Sequence, residues 1–129
     1  MPAWLMQTIL IAAGGATGAC LRAGLNAIGK RHFADTPWPI ATFTANVVGC
    51  LAIGVLHVWL AAKFADRSEL RAALIVGVLG ALTTFSSYGL EVAQLAEDKR
   101  YLAAVGYVLA SNAIGIALVI AGLRLGRLI

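Results

Sequence analysis

From position 77 the chain reads Gly77-Val78-Leu79-Gly80-Ala81-Leu82-Thr83-Thr84-Phe85-Ser86-Ser87-Tyr88, placing two glycines, four aliphatic hydroxyls and two aromatics in an otherwise apolar run. In hydrocarbon every polar group needs an internal partner or a wet cavity, so a glycine-interrupted, hydroxyl-rich helix there suits an ion or solute path. The remaining polar residues of the apolar segments are Thr42, Thr44 and Asn46, then Glu91, then Tyr107, Ser111 and Asn112. Most are donors without charge. A cation path or proton relay usually carries Asp or Glu at mid-membrane, whereas amide N–H and hydroxyl O–H groups can turn toward a small anion as it sheds water. Aromatic ring edges carry partial positive charge, and Phe85 and Tyr88 stand three residues apart on one helix face, placed to solvate an anion edge-on. Singly, each residue has a plainer reading: an intramembrane Ser or Thr bonds its own helix, and a lone Phe packs. The concentration over 83–88, together with Asn46, is what points to a path.

The elements that must position these residues are membrane spans. The 129 residues are 60% hydrophobic and 12% charged, with mean hydropathy +0.86, far from the roughly 25% charge of a soluble domain. A spanning helix needs about 20 apolar residues, and the charges cluster so as to leave four such stretches, near 3–27, 38–62, 72–96 and 101–123. The connectors are short, so a single four-helix transmembrane domain over 1–129 is predicted, with no soluble domain. A cleaved leader is disfavoured, because Met1-Pro2-Ala3-Trp4 offers no basic stretch before the apolar run. Pro37-Trp38-Pro39 marks the entrance of the second span, proline being tolerated in a first helical turn. Trp4, Trp38, Trp59 and Tyr101 suit the headgroup belt. Cys20 and Cys50 lack metal-ligand spacing and read as small buried hydrophobes.

Charge is balanced across the membrane. With four spans, the termini and middle connector share one side and carry Lys63, Arg67, Arg71, Arg124 and Arg127; the other side carries Arg22, Lys30, Arg31, Lys99 and Arg100. Orientation normally follows a Lys/Arg excess on the cytoplasmic side; five against five, or five against four without the membrane-embedded Arg22, supplies no such instruction. Both orientations are predicted to insert; one reading is a dual-topology chain assembling as an antiparallel dimer, the other that the near-tie is chance or that lipid context decides the orientation. The net charge of +4 is ordinary for loops facing anionic lipid and implies no nucleic-acid partner. A protomer this small has little interior for a pore, which also favours association. Small residues pair at helix-packing spacing, Gly14 with Gly18, Ser111 with Gly115 and Gly122 with Gly126. Such pairs mark generic packing more often than a dedicated dimer seam.

With these motifs in view, the chain resembles the Fluc fluoride channel family, also called the CrcB family, along nearly its whole length. Gly14-Gly15-Ala16-Thr17-Gly18-Ala19-Cys20-Leu21-Arg22 is similar to the family's GGxxGAxxR segment. Trp38-Pro39, then Ala41-Thr42-Phe43-Thr44-Ala45-Asn46 and Gly49, is similar to WPxGTLxVNxxG. Residues 77–88 followed by Glu91 resemble GxxGGxTTFSTFSxE, and Tyr107 with Ser111 matches the family's polar face on the fourth helix. The resemblance implies an all-α fold of four transmembrane helices, the third broken mid-membrane, forming an antiparallel dual-topology homodimer. It implies two fluoride pores in a bacterial cytoplasmic (inner) membrane and a structural sodium ion at the dimer interface. Carried over, the sodium carbonyls are those of Gly80 and Thr83. The pore aromatics are Phe85 and Tyr88, the pore amide is Asn46, and the hydroxyl pair is Ser86 and Ser87. Thr42, Tyr107 and Ser111 complete the fluoride pathway, and Arg22 stands near its aqueous end, where it attracts anions.

Three positions depart from the pattern. Tyr88 replaces a phenylalanine, Ala81 a glycine of the GG pair, and Ala41 the glycine before the threonine. Tyrosine keeps the ring edge and adds a hydroxyl donor; the edge is the favoured feature because the family carries Phe there. No nucleophile set, paired carboxylates or cofactor loop is present, so no enzyme is expected, and Glu91 is expected to bond a helix end or a hydroxyl. The rival reading is a small multidrug-resistance type exporter, also four-span and dual-topology, but those use a glutamate in the first span and this chain has none there. A third reading is a non-conducting assembly subunit held by small-residue packing.

Overall fold

The computed structural model describes Met1–Ile129 and is all-helical. Helix α1 spans Ala3–His32 and α2 Ile40–Lys63. A third membrane-length segment, Ser68–Glu97, comprises α3 (Ser68–Arg71), a π-helical stretch Ala72–Leu79, the short turn α4 (Gly80–Leu82) and α5 (Phe85–Glu97). Helix α6 spans Tyr101–Gly126. All four segments are long and apolar enough to cross a membrane.

The ends follow local chemistry. Helix α1 runs on through Lys30 and Arg31 to His32, and the two cations favour a helix C-terminus. Pro39 is the residue before α2, whose backbone lacks the N–H a helix start would leave unpaired. Between α5 and α6 the chain reverses in a Schellman turn: Lys99 N–H donates to Ala96 O at 3.0 Å and Arg100 N–H to Leu95 O at 2.9 Å. Lys99 takes φ 60° there, the left-handed position that glycine usually fills.

Small residues set the packing. A side chain at Gly14 or Gly18 would strike the carbonyls of Ala73 or Val78, and one at Gly77 the Ile11 carbonyl, so α1 lies backbone to backbone on the π-helical stretch. On the other side, Gly54 of α2 faces Gly122 of α6, and Gly126 sits on Val55. The small-residue pairs of the sequence thus close contacts within one protomer. Two apolar clusters result, Ala45 with Leu79 and Leu82, and Leu95 with Ala104 and Tyr107. Only 17 of 129 residues are buried, which leaves a lone protomer little interior.

Candidate anion pathway

Helix geometry fails at two residues. Thr83 and Thr84 take extended backbone, with ψ 152° and 122°, between α4 and α5. Thr83 closes the upstream helix with its amide and hydroxyl, both donating to Leu79 O at 2.9 and 2.8 Å. Thr84 opens the downstream one, its Oγ1 accepting from Ser87 N–H at 3.2 Å, an N-cap. Asn46 braces the interruption from α2: its Oδ1 accepts from Thr84 N–H at 2.9 Å and its Nδ2 donates to Thr84 O at 3.2 Å. One turn further on, a side chain at Gly49 would displace the Thr83 methyl. Asn46 and Gly49 share a helix face, so one offers an amide while the other offers room.

Four consecutive carbonyls, Gly80 to Thr83, lose their helical amides. An uninterrupted helix would bond Gly80 O to the Thr84 amide and Thr83 O to the Ser87 amide, but those amides go to Asn46 and to the Thr84 side chain.

Beside the interruption lies a cavity of about 370 Å³, open toward the protomer's flank and lined by Asn46, Gly80, Thr83, Thr84, Phe85, Tyr88, Ser111 and Asn112 among others. None of its lining residues carries a charge. Phe85 is 84% exposed. Ser111 Oγ is buried without a partner. A second cavity, about 240 Å³, is lined by Asn26, Lys30, Trp38, Thr42 and Glu91 among others.

A wall of rings and hydroxyls runs from the lining of the first to the lining of the second. Phe85 meets Tyr88 (centroids 5.6 Å), Tyr88 meets Tyr107 (5.3 Å), and Tyr107 meets Trp38 (5.9 Å) and Phe43 (6.5 Å). At its far end Glu91 accepts from two hydroxyls, Thr42 Oγ1 at 2.5 Å and Tyr107 Oη at 2.9 Å. Helices α2, α5 and α6 therefore converge on one carboxylate.

The residues expected from sequence separate into groups. Asn46, Gly80, Thr83, Phe85, Tyr88 and Ser111 share the larger cavity. Thr42, 5% exposed, and Tyr107, fully buried, are committed to Glu91. Ser86 Oγ and Ser87 Oγ both stand 3.2 Å from Thr84 Oγ1 at the start of α5 and line neither cavity. Arg22 is half-buried on α1, one turn before Asn26 of the smaller cavity. Trp38 packs into the aromatic wall, whereas Trp4 and Tyr101 stay exposed. Sequence reasoning passed over Thr84 and Gly49 as organisers and left Asn112 outside the pathway. The i, i+3 spacing of Asn46 and Gly49 and the Thr84-x-x-Ser87 pattern were the signals available.

The model of the family described as CrcB-like protein, Camphor Resistance (CrcB), matches residues 9–123. A Rhodospirillum centenum protein named fluoride-specific ion channel FluC is 47% identical over 128 residues, covering 95% of this chain and 97% of the relative. Proteins of the same name from Caulobacter vibrioides (43% identical; 94% and 95% covered) and Chloroflexus aurantiacus (40%; 95% and 97%) are similar over nearly the same extent. The chain belongs to the CrcB-like family.

Proposed function

We propose that this protein is a fluoride-selective ion channel, not an enzyme, that lets fluoride leave the cell passively across the cytoplasmic membrane of a bacterium. The carrying observation is the 370 Å³ cavity, where uncharged donors and aromatic rings gather at an interruption of a membrane-length segment. The names of the relatives point the same way. A small, strongly hydrated anion gives up water only where donors replace it. Asn46 and Tyr88 supply N–H and O–H groups and Phe85 a ring edge. The ring-and-hydroxyl wall leads from there toward the second cavity, where Lys30 and nearby Arg22 outnumber the Glu91 carboxylate of the same lining.

A polar cavity open to lipid is costly, and a second copy covering that flank removes the cost. The antiparallel dual-topology homodimer, with the third span broken at mid-membrane and two pores per dimer, meets this need and matches the balanced charges. The Gly80 and Thr83 carbonyls, each without its helical amide, fit sodium at the dimer interface, as unwound carbonyls do in other membrane proteins. Bound there, the ion would supply positive charge that holds two such interruptions together. Fluoride efflux from liposomes carrying the purified protein, measured beside chloride, is the test; a protein that releases neither ion is not a channel of this kind.

A further inference from the structure

The side-chain amide of Asn112 has a single tenable orientation. One of its terminal atoms stands 2.8 Å from Val108 O, which can only accept, so that atom is Nδ2. The same nitrogen lies 3.1 Å from Tyr88 Oη and gives it the second hydrogen. The phenol oxygen is therefore an acceptor in this bond, and its own proton has no acceptor within the protomer. Tyr88 cannot readily turn away, because its ring leans on Phe85 and Tyr107 at 5.6 and 5.3 Å.

Ser111, on the same cavity wall, holds a second uncommitted O–H, its Oγ closed off from the surface. Its behaviour is unusual for this chain: Thr8, Thr17 and Thr83 each turn their hydroxyl onto the carbonyl four residues back, as intramembrane hydroxyls commonly do. The Tyr88 donor thus lines a cavity with no ionised neighbour, with the Ser111 hydroxyl sealed in its wall, and an unspent donor in a membrane is costly. The missing acceptor has to come from outside the protomer.

We propose that Asn112 is a positioning residue that aims the Tyr88 phenolic proton into the cavity, making the Tyr88 hydroxyl a donor subsite for a small anion. The inference rests on the fluoride-path reading and assigns the donor role to the residue where this chain has tyrosine in place of phenylalanine. It shifts weight from the ring edge of Tyr88 to its hydroxyl.

The test compares the parent with Tyr88→Phe, Asn112→Leu and the double variant, all reconstituted in liposomes. Fluoride efflux is read alongside the 19F resonance of bound fluoride. Each single change should weaken fluoride binding and efflux by about tenfold, the scale of one hydrogen bond to a charged group. The double variant should be no worse than either single one, since Asn112 acts only through the phenol, and Asn112→Gln should recover part of the loss. Undiminished fluoride handling in Tyr88→Phe, or additive losses in the double variant, overturns the proposal. So does a Tyr88→Phe loss that tracks dissociation of the dimer, which would place the acceptor in the second copy. A parent that binds fluoride through Tyr88 yet releases none would sink the channel reading while sparing the subsite; normal parent efflux with an indifferent Tyr88 would do the reverse.

Discussion

Asn46 holds both polar groups of Thr84 with one side chain, so substituting it alters the backbone interruption as well as the cavity lining. In Asn46→Asp the atom facing Thr84 O becomes a carboxylate oxygen, and two acceptors 3.2 Å apart repel while the new charge opposes an entering anion. Fluoride efflux should drop by tenfold or more, roughly one charged hydrogen bond, with the dimer still intact by size exclusion. Parent-like efflux from a variant that still elutes as a dimer would remove Asn46 from the path. The polar inventory and the family resemblance made most of these side chains legible in sequence. What they left unread is which hydrogens are already spent. Thr42 and Tyr107 read as pathway donors in sequence, and their bonds to Glu91, 49 and 16 positions away in the chain, depend on how three helices meet.

At the scale of elements, the Glu91 junction joins α2, α5 and α6, and it should carry measurable stability. Tyr107→Phe removes one hydroxyl from the carboxylate and leaves the ring packing in place. The loss should be about 0.6–1.7 kcal/mol, the range seen for hydrogen bonds between membrane helices, read from unfolding of the reconstituted protein in denaturant. A variant as stable as the parent would mean that the carboxylate does not organise the three helices. The spans themselves were legible because apolar length is a strong signal; the observed segments extend past the expected ones mainly at charged ends, as where α1 continues to His32. The π-helical stretch Ala72–Leu79 was not legible. Its residues are uniformly apolar, and its geometry accompanies close seating against Gly14 and Gly18 of α1, a tertiary constraint with no local mark.

For the whole molecule, the balance of Lys and Arg was readable from the chain alone, whereas the shape of the uncovered flank needed coordinates. Phe85, Gly80 and Asn112 are all exposed beside the larger cavity, polar and aromatic surface that a lone protomer would leave to lipid. If both orientations insert, topology reporters at the C-terminus should give signal from both sides of the membrane, and two or three added Lys in one connector should bias them to one side. A single fixed orientation in the unmodified chain would rule out the antiparallel dimer. Fluoride selectivity is the claim on which the rest depends, and passive efflux from liposomes reconstituted with the purified protein measures it directly. Fluoride should leave protein-containing vesicles rapidly down its gradient while chloride stays trapped, because the uncharged donors fit the smaller ion. Fluoride release no faster than from protein-free vesicles, or chloride release at a matching rate, would contradict a fluoride-selective path.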